Sequence, residues 1–180
     1  MMQKKVQIIS DGSLDLSQEL TKEKDIEVVP FYVSFDSETY QKEMVEVGVR
    51  EFYQEMVDHP TVFPKTSMPS VHDYYEVFEK HAKEKMPVIC ICITRKFSGS
   101  LQSATTAKDM ILEEYPDAQI TVIDSTVNTV LQGLYVLEAC RLRDMGLEYQ
   151  QIVDALLPIR ETGRIFFTIG SIDYLKHGGR

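Results

Sequence analysis

Two apolar runs in the middle of the chain constrain its fold more than any other feature. Residues 88–94 read VICICIT and residues 119–125 read QITVIDS. Runs that stay apolar at consecutive positions bury both faces, which is typical of strands in a parallel sheet covered by helices. Segments with helical spacing follow both runs, so the order is strand, helix, strand, helix. The sequence therefore predicts an α/β protein built on a parallel sheet.

The same alternation extends over the rest of the chain. Further strands are expected at residues 6–9 and 26–35, and helices at residues 16–24, 48–59, 71–85, from about 100, 128–145 and from about 149. Pro30 favours an edge strand or an irregular passage within residues 26–35. Residues 60–70 contain three prolines and are predicted to form a loop. Ser70 and Asp73 have the spacing of a capping box at the start of the next helix.

The pattern changes near residue 161. Residues 164–170, RIFFTIG, have the composition of a strand, and the chain then reads SIDYLKHGGR, which predicts a short capped helix. We expect residues 1–160 to form an N-terminal α/β domain that carries the binding loops. Residues 161–180 are expected to begin a second α/β domain whose remainder is absent.

Hydroxyl groups collect where the predicted strands end. In an open parallel sheet, ligands bind outside the carboxyl ends of the strands. A Ser-Gly segment at the start of a helix also presents backbone N–H and hydroxyl donors, which bind small anions. Each loop alone also fits an ordinary helix cap, but their joint placement favours a carboxylate or phosphate site. The candidate ligand-binding residues are Asp11, Ser13, Thr66, Ser67, Ser98, Gly99, Ser100 and Ser125.

Signatures of catalysis are absent from the sequence. It contains no GxGxxG, Walker lysine loop, GxSxG or HExxH motif, and its four histidines are scattered. Ser98 has no accompanying base, so it is not predicted to be a nucleophile. We expect no catalytic residue, no metal and no cofactor. Asp11 and Asp124 resemble a carboxylate pair for a metal, although loop-organising acids explain them more simply.

The net charge and the N-terminal sequence indicate which binding partners and which cellular location to expect. Lys and Arg number 19 against 28 Asp and Glu, which gives a formal net charge of −9. Nucleic acid is therefore not expected as a partner, and contact with a membrane surface is expected to be transient at most. The N-terminal apolar stretch is too short for a signal peptide, and the three cysteines fit buried reduced thiols. The expected location is the cytoplasm.

The order of six motifs resembles the DegV family of bacterial fatty-acid-binding proteins, over essentially the whole chain. The motifs are SDGSLDLS, VVPFYVSF, PKTSMPS, FSGSLQSA, VIDS and YLKHGGR. The resemblance implies a two-domain α/β protein that holds a long-chain fatty acid between its domains. It also implies that the protein carries the acid to the catalytic subunit of a fatty acid kinase and catalyses no reaction itself.

The same resemblance implies roles for individual residues. Thr66, Ser67 and Ser98 correspond to groups that bind the carboxylate, with Gly99 offering its backbone N–H, and Arg180 of the GGR motif joins the candidate ligand-binding residues. The first loop departs from the family, because Gly12 stands where a hydroxyl residue is usual. A family histidine that helps to bind the carboxylate has no counterpart in this sequence.

Two alternative functions stay open on the sequence. One is a metal-dependent enzyme that acts on a small phosphorylated metabolite at the same sheet edge, with Asp11 and Asp124 on a divalent metal. The other is a regulatory or interaction module in which the hydroxyl-bearing loops are only helix caps.

Overall fold

The structure, a computed structural model, describes residues 6–166, 168, 172, 173 and 176. Its strands are β1 (Gln7–Asp11), β2 (Ile26–Val29), β3 (Tyr32–Ser34), β4 (Gln41–Lys42), β5 (Lys65–Ser67), β6 (Val88–Cys92) and β7 (Ile120–Asp124). Its helices are α1 (Gln18–Glu23), α2 (Val49–Asp58), α3 (Val71–Lys83), α4 (Ser100–Glu114), α5 (Thr129–Asp144) and α6 (Tyr149–Ile159), with a 3-10 turn at Gly12–Leu14. In this part of the chain, every helix is too short or too polar to cross a membrane.

The chain divides into two compact units. The first comprises Met1–Val29 and Pro69–Ile165, and the second comprises Pro30–Met68 and Phe166–Arg180. In the first unit, four parallel strands form a sheet in the order β2-β1-β6-β7. The predicted α/β fold with a parallel sheet is confirmed.

The strand β6 shows why the run VICICI marks a central parallel strand. All of its residues are buried, and alternate side chains enter different apolar clusters. Ile89 and Ile91 pack with residues of α5 and α6, whereas Val88, Cys90 and Cys92 pack with residues of α3 and α4. Helices therefore cover both faces of the sheet, as expected for a strand whose two faces are both apolar.

The second unit contains a small antiparallel sheet in the order β4-β3-β5, and helix α2. The ring of Phe52 on α2 lies 5.2 Å from the ring of Phe35, which follows β3. The expected irregular passage at Pro30 is confirmed, and β2 is an edge strand, but one continuous strand over 26–35 and a loop over 60–70 were wrong. Pro30 divides the predicted strand 26–35 into β2 and β3, which belong to different sheets, and the predicted loop 60–70 contains β5.

The C-terminal predictions fall mostly outside the described residues. Arg164, Ile165, Phe166 and Thr168 lie outside any strand that the structure describes, and residues 167 and 169–171 are not among the described ones. The helix predicted after them is present at Asp173 and Lys176, and the Lys176 N–H donates to the Ile172 carbonyl at 3.0 Å. The division into domains at residues 160 and 161 stays a prediction.

Gly133 lets α5 pack closely against the segment after β1. A Cβ atom at Gly133 would clash with the Leu14 carbonyl oxygen and would lie 2.8 Å from Leu16 Cδ2. We therefore expect Gly133→Ala to lower the free energy of unfolding by about 1–3 kcal/mol, since overpacking outweighs the gain in helix propensity. Urea denaturation followed by circular dichroism measures this loss.

The matched control is Gly48→Ala, at the start of α2. A Cβ there would have no atom within 4 Å, so only capping preference changes and the expected loss is below about 1 kcal/mol. Equal losses in the two variants would contradict the steric explanation.

Candidate ligand-binding site

The carboxyl ends of β1, β6 and β7 meet at one edge of the parallel sheet, because these strands are neighbours and run in the same direction. The loops after β6 and β7 are joined by backbone hydrogen bonds. The Ser125 N–H donates to the Cys92 carbonyl and the Thr94 N–H donates to the Val127 carbonyl, both at 3.0 Å. The structure therefore brings together three of the predicted hydroxyl-bearing loops.

Asp11, the last residue of β1, organises this edge from within. Its buried carboxylate accepts hydrogen bonds from the Ile93 N–H at 2.9 Å and the Ser100 hydroxyl at 2.7 Å on Oδ2. Its Oδ1 accepts from Gln132 Nε2 at 2.9 Å and the Ser13 N–H at 3.3 Å. Burial raises the pKa of Asp11, and the four hydrogen bonds oppose this shift. Asp11 thus connects β1 to the loop after β6 and to α5.

Ser100 is equally enclosed. It begins α4, and its hydroxyl oxygen lies 2.7 Å from the Tyr74 hydroxyl of α3. Because Ser100 donates to Asp11, Tyr74 is the donor in this second bond. Burial raises the pKa of Tyr74 well above its usual value, so the phenol keeps its proton at neutral pH. Ser100 therefore links Tyr74 to Asp11 inside the protein.

Ser98 and Gly99 form the outer part of the same loop. Ser98 is half-buried, and its Oγ accepts the Ser100 N–H at 3.2 Å, which leaves the Ser98 hydroxyl hydrogen free to donate. Gly99 is exposed and is the N-cap residue of α4, without a side-chain cap. The N–H groups of Gly99 and Leu101 donate to no acceptor among the described residues. The N-terminus of α4 therefore presents donors outward, as predicted.

Ser125 and Ser13 have different surroundings. Ser125 is buried and its hydroxyl donates to the Val127 carbonyl at 2.9 Å, as in a compact turn. Ser13 is half-buried in the 3-10 turn after β1. Their roles as ligand groups stay predictions.

Thr66 and Ser67 lie in the second unit, on strand β5. Both are exposed, and they stand opposite Val33 and Tyr32 of β3. The predicted loop is thus a strand that presents hydroxyl groups at an edge of the small sheet. The predicted proximity of Thr66 to Ser98 stays a prediction, and Arg180 lies outside the described residues.

Gln132 is a member of the site that the sequence analysis missed. It is buried on α5, and its Nε2 donates to Ser10 Oγ at 3.0 Å as well as to Asp11. Its Oε1 has no hydrogen-bond partner among the described residues. The available signal was a glutamine within an otherwise apolar helical face, since Val136 and Ala139 of the same helix lie in the core.

Asp11 and Asp124, the two carboxylates considered as metal ligands, interact with different groups. The Asp124 carboxylate accepts the Thr126 N–H at 2.9 Å and lies 3.7 Å from Arg95 Nε, whereas Asp11 accepts the four bonds described above. Among the described residues, His, Cys, Asp and Glu form no group of three or more that suits a metal ion. Asp11 and Asp124 each accept a backbone N–H of the loop that follows their strand, and the metal-dependent alternative stays a prediction.

A small apolar cavity adjoins Ser125 in the first unit. Its volume is about 130 Å³. Its apolar lining includes Val127, Leu131, Leu134, Tyr135 and Ile159. Pockets for small molecules usually measure about 300–1,000 Å³, so this cavity alone is too small to enclose a long acyl chain.

Comparison with known proteins identifies the family. A family model described as "Uncharacterised protein, DegV family" matches residues 5–180. The chain belongs to the DegV family. This result confirms the resemblance carried by the six motifs.

Solved DegV-family structures share the fold. The chain is 48% identical to a stearic acid-binding protein from Eubacterium ventriosum, with a TM-score of 0.92 over 97% of this chain and 60% of that one. It is 25% identical to DegV, a fatty acid binding protein from Bacillus subtilis, with a TM-score of 0.88 over 99% of this chain and 61% of that one. Both structures support the parallel α/β architecture.

The chain also matches only part of the length of a relative known from its sequence. The DegV domain-containing protein CPE0304 of Clostridium perfringens is 30% identical over 175 residues, which are 97% of this chain and 61% of the relative. The chain thus spans about 60% of the length of the DegV relatives it matches.

Proposed function

We propose that this DegV-family protein binds a long-chain fatty acid and presents it to a partner kinase for phosphorylation. The observation that carries the first part is the outward set of donors at Ser98, Gly99 and Leu101, in a chain 48% identical to a stearic acid-binding protein. The hydroxyl groups of Thr66, Ser67 and Ser98 and the N–H of Gly99 bind the carboxylate in this proposal. Uncharged donors suit this role because they hold an anion without a counter-charge.

The head group and the tail contribute differently to binding. Burial of each methylene contributes about 0.8 kcal/mol. A hydrogen bond to a charged group contributes about 1.5–3 kcal/mol. The tail therefore supplies most of the affinity of a long acid, and the Ser and Thr donors determine which end of the ligand lies at the loop.

The protein acts as a binding subunit in this proposal. A nucleophilic serine donates its hydroxyl hydrogen to a base, whereas the hydrogen bond of Ser98 is one that it accepts from the Ser100 N–H, so the proposal gives Ser98 a binding role. The phosphate is therefore transferred by the kinase, which must reach the carboxylate while the tail is held. Cys90, Cys92 and Cys140 are buried thiols that form no disulfide among the described residues, which suits the reducing cytoplasm where a kinase finds its nucleotide.

Extraction of bound lipid tests the proposal directly. Protein purified without detergent is extracted with organic solvent, and the extract is examined by mass spectrometry. A free long-chain fatty acid in stoichiometric amount is the expected result. Recovery of a phosphorylated metabolite would instead support the enzyme alternative. A delipidated protein that fails to take up stearic acid in a titration would contradict the binding proposal.

A further inference from the structure

The buried charge of Asp11 has no cationic partner among the described residues. Its carboxylate is held only by the Ser13 and Ile93 N–H groups, the Ser100 hydroxyl and the Gln132 amide. Burial raises the pKa of this carboxyl group, and the four donors oppose that shift because they favour its ionised form. Dipoles stabilise this negative charge but do not neutralise it.

This charge lies directly beneath the donors at the start of α4. Ser100 Oγ donates to Asp11 Oδ2 at 2.7 Å, and the Ser100 N–H donates to Ser98 Oγ at 3.2 Å. A single residue therefore separates the buried carboxylate from the proposed head-group donor. The surroundings are largely apolar and buried, so the charges are screened less than in water.

Among the described residues, the other ionisable groups that interact with Asp11 are Tyr74 from α3 and the Cys92 thiol from β6, while α5 contributes the neutral Gln132 amide. Burial raises the pKa of Tyr74 well above its usual value. The contact with Cys90 and burial raise the pKa of Cys92 in the same way. Both groups are neutral at neutral pH, and Asp11 carries the charge of this cluster.

We propose that Asp11 is a specificity-determining residue, whose charge makes the N-terminus of α4 favour a singly charged carboxylate over a doubly charged phosphate. The proposal rests on the proposed fatty acid function and names what selects the head group. Repulsion grows with the product of the charges, so a dianion meets about twice the repulsion of a monoanion at the same position. The donors attract a dianion more strongly than a monoanion, and the Asp11 charge opposes that preference in this proposal.

The variant Asp11→Asn removes the charge and keeps the shape. Its new amide nitrogen needs an acceptor, and Gln132 can supply one by rotating its amide, because Gln132 Oε1 has no partner in the part of the chain that the structure describes. The probes are lauric acid and dodecyl phosphate, titrated below their micelle concentrations at pH 7.5 with the delipidated protein. We expect the affinity for dodecyl phosphate to rise about tenfold relative to that for lauric acid, which corresponds to about 1.4 kcal/mol.

Asp109→Asn is the matched control. It removes one carboxylate from the exposed side of the same helix, where Asp109 lies 3.4 Å from Lys108. The ratio of the two affinities should stay at the wild-type value. Thermal melting of each variant shows whether it folds, and Asp11→Ser removes the same charge if Asp11→Asn does not fold.

The wild-type protein gives an independent measurement. It should bind lauric acid more tightly than dodecyl phosphate, and equal or tighter binding of the phosphate would overturn the proposal. If both probes bind and their ratio is the same with and without the Asp11 charge, the assignment of Asp11 is wrong while the fatty acid function stands. If neither probe binds the wild-type protein, the proposed function and the role of Asp11 are both wrong.

Discussion

Fatty acid affinity is expected to fall about 10- to 100-fold when Ser98 is replaced by alanine, with a loss of stability below about 1 kcal/mol. The Ser98 hydroxyl has a free hydrogen for the carboxylate, and a hydrogen bond to a charged group contributes about 1.5–3 kcal/mol. Among the described residues, its oxygen accepts only the Ser100 N–H. Displacement of a fluorescent fatty acid and urea denaturation, measured on the same samples, give the two quantities.

Ser17→Ala is the control for a serine that serves only as a cap. Ser17 Oγ accepts the Leu20 N–H at 3.2 Å at the start of α1. Its loss should cost about 1 kcal/mol of stability and leave fatty acid binding unchanged. If Ser98→Ala behaves like Ser17→Ala, Ser98 is a helix cap and the proposed site is wrong.

The largest loss of stability is expected for Phe78→Ala. Phe78 is fully buried on α3, and its ring lies 5.8 Å from that of Tyr74, in the cluster between the sheet and α3 and α4. Truncation of a buried phenylalanine costs about 3–5 kcal/mol, because transfer energy is lost and a cavity remains. Small domains have a total stability of about 5–15 kcal/mol, so urea denaturation should show a much lower midpoint.

Glu76→Ala, on the exposed side of the same helix, is the control for Phe78→Ala. The Glu76 carboxylate lies 3.4 Å from the His72 ring, both side chains are exposed, and replacement of Glu76 should change stability by about 0.5 kcal/mol or less. A loss of less than about 1.5 kcal/mol in Phe78→Ala would mean that neighbouring side chains collapse into the vacated space.

The parallel sheet was predictable because its strands are marked by local composition. In β6, Ile89 and Ile91 face one helical layer and Cys90 and Cys92 the other, so the unbroken apolar run itself indicates burial on both faces. The sequence of β5 contains no such apolar run. It has three exposed residues and is held by backbone pairing with β3, more than thirty positions earlier in the chain. Short strands in a small sheet have too few side chains to show a period.

The candidate site was predictable in its outer part only. Ser98 and Gly99 stand at a strand-to-helix junction, where capping rules apply locally. The bond between Asp11 and Ser100 joins residues 89 positions apart, and the Gln132 bond to Asp11 spans 121 positions. The sequence alone did not indicate that these polar groups hold one another, and their direct contact with a ligand stays a prediction.

The passage of the chain through Pro30–Met68 has a consequence for the rate of folding. This segment separates β2 from α3, two elements of the first unit. Before α3 can dock on the sheet, the intervening residues must form a closed loop, which costs about 2 kcal/mol more entropy than a loop of about five residues. Unless the small antiparallel sheet and α2 form early and shorten the effective loop, this closure raises the barrier to folding. Early folding of the second unit would then speed up folding of the first unit by lowering the entropy cost of loop closure.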